Sequence, residues 1–110
     1  MGQETTGTAK GYEKPASAVV TISIIQGSIV VDRPTIRLSE QEGHTATWQR
    51  EKGGEFEVEF KNATPFDHFK FNQSDARAVK VRNRAPYGPY KYTVKVPGYP
   101  DLDPEVIVDQ

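Results

Sequence analysis

The chain has no cysteine. That excludes disulfides, thiolate metal centres and a cysteine nucleophile, and leaves the redox compartment open. Charge of one sign is also lacking: 14 basic residues face 15 acidic ones, for a net charge of −1. No global field then points to nucleic acid or to a membrane surface. No apolar run is long enough for a membrane-spanning helix, since the longest, from Ala18 to Val31, is interrupted by Gln26-Gly27-Ser28. The first residues lack the basic and apolar character of a secretory leader. A cytoplasmic location is therefore expected unless a leader was removed, in which case a periplasmic or secreted one is the alternative. There is no glycine-rich phosphate loop, no nucleophile elbow and no spaced histidine pair, so the expectation is that the protein is not an enzyme.

Prolines and glycines are plentiful instead. Eight prolines and nine glycines are spread along 110 residues, which favours short strands and turns over helices. Residues 1–17 show no periodicity and read as a flexible tail or linker. Residues 18–110 read as a single domain. Within it, Val19 to Ile25 and Ile29 to Val31 predict a core hairpin around the Gln26-Gly27-Ser28 turn. Thr35 to Leu38 and Thr45 to Trp48 alternate in turn, with Ala46 and Trp48 inward. The lone tryptophan predicts the centre of the core, where it would bury about 200 Å².

The clearest alternation is Glu55-Phe56-Glu57-Val58-Glu59-Phe60, with aromatic and aliphatic residues inward and three glutamates outward. Ala78 to Arg84 predicts another strand, placing Lys80, Arg82 and Arg84 outward, with Arg77 nearby. Pro86-Tyr87-Gly88-Pro89 is turn chemistry. From Tyr90 onward Tyr90, Tyr92, Val94 and Val96 share one face, and Lys91, Thr93 and Lys95 share the other. Pro97-Gly98 ends that strand, and Glu105 to Val108 predicts a last one. Roughly seven or eight such strands predict an all-β, Greek-key β-sandwich.

The final strand, tight loop and closing strand resemble the end of a cupredoxin domain, of the plastocyanin and amicyanin kind. There Tyr-x-Tyr-x-Cys runs into a short loop carrying His and Met. Gly43-His44-Thr45-Ala46-Thr47-Trp48 is similar to the Gly-Asp-Thr-Val-Thr-Trp run of that family, and Phe56 to Phe60 to its His-Asn-Val-x-Phe segment. The resemblance covers Val19 to Val108. It implies copper ligands at four positions, and each is replaced here: Phe56 and Pro97 stand for the histidines, Val94 for the cysteine and Pro100 for the methionine. Phenylalanine, valine and proline have no donor atoms, whereas a blue-copper site needs two imidazoles and a thiolate. What the resemblance implies is a cupredoxin-like domain that has lost its copper site, with no cofactor, serving as a binding or structural module.

Two alternatives stay open at this point. A metal site outside the family pattern, copper-binding and suited to electron transfer, would have to use His44 or His68. A small enzyme would need a pocket at the loop end. The glutamates read as a solvated stripe able to pair with Lys91 and Lys95 across the sheet. The Lys80–Arg84 row lacks the interleaved aromatics of a nucleic-acid surface. Of Phe66, Phe69 and Phe71, at least two are expected in the core. The expected partner is a protein, met by loops at the end where copper would sit. Phe66, Tyr87, Tyr99 and Leu102 would supply the contact area, with Lys52 and Asp101 at the rim.

Overall fold

In the computed structural model, which describes residues 17–75 and 78–110, the apolar segment folds as a hairpin. The tail expected over 1–17 lies outside the described residues apart from Ser17, and so does Arg77. Strand β1 (Ser17–Ile25) pairs antiparallel with β2 (Ser28–Val31), Ile25 opposite Ser28 and Ile22 opposite Val31. The loop is thus only Gln26-Gly27. Both carry positive φ, 52° and 77°, as the twist-matched two-residue hairpin turn requires.

The remaining strands are β3 (Thr35–Ser39), β4 (Thr45–Arg50), β5 (Glu57–Glu59), β6 (Lys70–Asn72), β7 (Val79–Lys80), β8 (Gly88–Lys91), β9 (Thr93–Lys95) and β10 (Glu105–Asp109). Among the described residues the only helix is one 3₁₀ turn, Gln73–Asp75. The strands form a four-stranded sheet, β2-β1-β4-β7, and two three-stranded sheets, β3-β10-β8 and β9-β5-β6. The protein is an all-β sandwich.

Sheet pairing is not purely antiparallel. Strand β1 runs parallel to β4, with Val20 beside Trp48, and β3 runs parallel to β10, with Leu38 beside Val108. Parallel neighbours need a long crossover. Here β2 and β3 supply it between β1 and β4. Two predicted strands are also shorter than their alternation suggests. Only Val79 and Lys80 of the Ala78–Arg84 stretch join a ladder. Beyond them the Arg82 N–H turns to the Pro65 carbonyl, and Arg84 takes a φ of 63°. The Tyr90–Val96 strand divides at Tyr92: Gly88–Lys91 pairs with β10 and Thr93–Lys95 with β5, while the Tyr92 N–H and Val94 still bond to Pro104 and Leu102 ahead of β10.

Alternation nonetheless reports burial well. Phe56, Val58 and Phe60 are buried, and so are Tyr90, Tyr92, Val94 and Val96. At the centre, Trp48 lies 5.8 Å from Phe71 in a stacked arrangement, and edge-on to Phe60, Phe66 and Tyr92 at 6.4, 5.9 and 5.4 Å. The indole N–H donates to the Tyr92 hydroxyl at 3.2 Å. Trp48 belongs to the four-stranded sheet, Phe71 to the β9-β5-β6 sheet, and Tyr92 to the junction of the other two. One ring cluster thereby ties all three sheets together.

Candidate functional site

A cleft opens beside Tyr92. Strands β9 and β5 pair with Thr93 opposite Glu59, Val94 opposite Val58 and Lys95 opposite Glu57. Continuing that register would set Lys61 against Lys91. Instead β5 ends at Glu59, and the Phe60 N–H donates to the Phe69 carbonyl at 2.8 Å, drawing the chain toward β6. The two chains diverge around a groove of about 570 Å³, with Lys61, Asn62 and Ala63 on one side and Pro86 to Lys91 on the other. Arg82, Glu59 and Asp103 also line it. Tyr87 stands half exposed at 51%. Tyr90, beneath it, is buried, and its hydroxyl donates to the Pro86 carbonyl at 2.6 Å. That burial raises its pKa, with nearby Arg82 opposing the rise.

A second cleft, of about 460 Å³, lies at the other end of β9 and brings together Glu55, Phe56, Val96, Pro97 and Asp101 with Gln73 and Lys95. Two of the four positions carried over from the cupredoxin pattern meet here, Phe56 and Pro97. Phe56 is only 3% exposed and Val94 fully buried, whereas Pro97 and Pro100 are exposed. Val94 faces Val58 across the ladder, so Phe56 and Val94 are not direct cross-strand partners. None of these four side chains can donate to a metal, and the family's copper does not fit this donor set.

The expected contact residues do not form one patch. Phe66 is buried to 1%, because its ring completes the cluster around Trp48 and its N–H is held by the Thr64 hydroxyl. It offers a partner no surface. Phe71 is likewise core, and Phe69 is the exposed member of the trio at 50%. Leu102 is half-buried against the core, with its backbone bridged to Val94. Tyr99, Lys52 and Asp101 are exposed. Tyr87 is exposed too, but it precedes β8 whereas Tyr99 follows β9, at the other end of that run of strand. It borders the groove, not the loop end.

The two imidazoles are placed separately in function. His44 Nδ1 accepts the Ser39 N–H at 2.9 Å, which leaves only Nε2 for any other ligand. His68 is exposed, edge-on to Phe71 at 6.2 Å. Among the described residues no three His, Asp or Glu side chains converge as a metal site would require. Ser39 and His44 are neighbours without being a nucleophile and its base. The Ser39 hydroxyl donates to the Gln110 carbonyl at 2.9 Å and accepts the Glu42 N–H at 3.1 Å.

The glutamate stripe pairs much as its alternation suggests. Lys95 meets Glu59 at 3.1 Å and Lys70 meets Glu57 at 3.7 Å. Lys95's hydrogen bond holds the Glu59 carboxyl below the usual range, and Glu59 in turn raises Lys95. Lys91 departs from that expectation. It lies in the β3-β10-β8 sheet, where its ammonium donates to the Asp103 carbonyl at 2.9 Å. Lys61 and Arg82 as groove residues were not legible beforehand, because nothing in their local sequence distinguishes them from other exposed cations. No protein-family model matches the chain, and no curated protein matches it.

Proposed function

We propose that the chain is a non-catalytic, cupredoxin-like Greek-key module that binds or scaffolds another protein and has no type 1 copper site. One observation carries the reading. The positions at which the resemblance would put an imidazole and the thiolate are filled by Phe56 and Val94, both packed into the apolar core. The strand–loop–strand ending supports it as well: β9, the loop through Pro97 and Pro100, and β10 returning beside β8. A non-catalytic role fits the Ser39 hydroxyl, which is bound to backbone groups, and its neighbour His44, whose Nδ1 is occupied. Exposed Tyr87, Phe69 and Tyr99 supply aromatic contact area of the kind protein interfaces favour.

Copper titration followed by absorbance and metal analysis tests this reading. The expected result is no stoichiometric copper and no visible charge-transfer band, since the chain has no thiolate to produce one. Tight copper binding that is lost in His44→Ala or His68→Ala would replace it with a metal-binding protein built on a different site.

A further inference from the structure

The groove beside Tyr92 is open on the backbone as well as on the surface. Strand β8 pairs with β10 through its inner edge, and the Tyr92 N–H continues that ladder to the Pro104 carbonyl at 3.1 Å. Successive peptide groups in an antiparallel ladder point to opposite sides. The N–H and C=O of Lys91 therefore turn away from β10, toward the groove. The register would place Lys61 there, but the ladder stops at Thr93 and Glu59. Two residues earlier on the same edge stands Pro89, which has no N–H to offer. Proline at that point guards against indefinite sheet extension and leaves a short stretch of edge beside Lys91.

Charge gathers around that edge. Lys61, Arg82 and Lys91 line the groove, on a chain whose net charge is −1. The ion pairs among the described residues are Arg37–Asp109, Lys70–Glu57 and Lys95–Glu59, and none of the three groove cations takes part. Arg82 Nε donates to the Thr64 carbonyl and Lys91 Nζ to the Asp103 carbonyl, neutral acceptors that leave both charges in place. Of the two carboxylates in the lining, Glu59 is paired with Lys95, while Asp103 accepts the Thr93 hydroxyl at 2.8 Å and keeps its charge, so three cations face one uncompensated carboxylate. Pro86, Pro89 and the half-exposed Tyr87 give the same groove a stiff apolar wall.

We propose that this groove captures an extended acidic peptide segment of a partner protein, which adds as a short strand at Lys91 and lays its carboxylates against Lys61, Arg82 and Lys91. The proposal rests on the reading of the domain as a binding module and names the partner's chemistry. Strand addition draws affinity from main-chain hydrogen bonds and specificity from side-chain pockets. A polynucleotide or a sulfated glycan would satisfy the cations but has no backbone to pair with the edge. One exposed tyrosine also falls short of the series of stacking rings that single-stranded nucleic acid uses.

Fluorescence anisotropy with the full chain and a labelled peptide of alternating glutamate and valine provides the test. A glutamine-for-glutamate peptide, an oligothymidylate and a heparin fragment serve as comparisons. Saturable binding of the acidic peptide alone is expected, weakening with added salt. Lys61→Glu combined with Lys91→Glu should weaken it by about tenfold or more, while Arg33→Glu, outside the groove, leaves it unchanged. Should the double variant misfold, amide chemical-shift changes in the unmodified chain decide instead, with Lys61 and Lys91 expected to move most. Absent binding, equal affinity for the double variant, shifts confined elsewhere, or tighter binding of the oligonucleotide or heparin would each overturn the proposal. Since copper titration judges the module reading separately, a failed peptide test with no copper bound removes the groove proposal alone.

Discussion

Tyr92 combines two roles. It is where the chain changes sheets, and its hydroxyl accepts the only buried hydrogen bond made by the Trp48 indole among the described residues. Burial raises its pKa to about 12, with the Trp48 hydrogen bond pulling the other way. Because the folded pKa exceeds the unfolded value near 10, the folded state keeps the proton where the unfolded chain loses it. The contribution is complete below pH 10 and is lost as pH rises from 10 to 12, by roughly 2–3 kcal/mol. Ultraviolet titration should show the Tyr92 phenol ionising near pH 12, a step absent from Tyr92→Phe. Denaturant midpoints of Tyr92→Phe should fall less steeply over that range, although the variant starts less stable because the Trp48 N–H loses its acceptor. Trp48→Ala removes the ring that touches four others, and chemical denaturation should register a loss of roughly 3–5 kcal/mol.

At the scale of the element, the β1–β2 hairpin rests on its two-residue turn. Gly27 has a φ of 77° and nothing within 4 Å of where a Cβ would sit. Gly27→Ala would meet no clash, and its cost is purely the left-handed backbone, about 1 kcal/mol. Gln26, at 52°, bears a left-handed backbone cost that asparagine tolerates better, so Gln26→Asn should raise stability by a few tenths of a kcal/mol. Thermal unfolding of the two variants, moving in opposite directions, checks the pair. Strand β8 illustrates a different constraint. Its proline at position 89 is tolerated because that residue faces away from β10, where no N–H is needed.

For the whole molecule, the five-ring cluster decides how the sheets behave together. The sheets β3-β10-β8 and β9-β5-β6 follow one another through Tyr92 and are linked by the Val94–Leu102 backbone bridge just ahead of β10. Without shared packing they could open separately. Trp48, Phe60, Phe66, Phe71 and Tyr92 instead pack rings from the β2-β1-β4-β7 and β9-β5-β6 sheets against the Tyr92 junction that leads into β3-β10-β8. Unfolding is therefore expected to be two-state, with tryptophan fluorescence and far-ultraviolet circular dichroism reporting one midpoint. Two separated transitions would show that the sheets are independent units.

The sequence by itself determined which residues go inside and where the chain turns. Phe56, Val58 and Phe60, and then Tyr90 through Val96 at every second position, are buried because a strand's side chains alternate, and that period is written locally. Gln26-Gly27 and Pro97-Gly98 were legible for the same reason: turn conformations depend on the residues that occupy them. Only the tertiary structure decided what lies beside what. Phe66 stands in an irregular stretch with no period to declare its side, and its burial follows from the space around Trp48. Lys91 was expected beside the glutamate stripe because its strand continues past it, yet β5 ends at Glu59 and leaves Lys91 on the groove. Lys61 and Arg82 join it from segments far away in the chain. Register between distant strands is set by how complete faces pack against one another, and an outward cation has the same local pattern whichever neighbour it will meet.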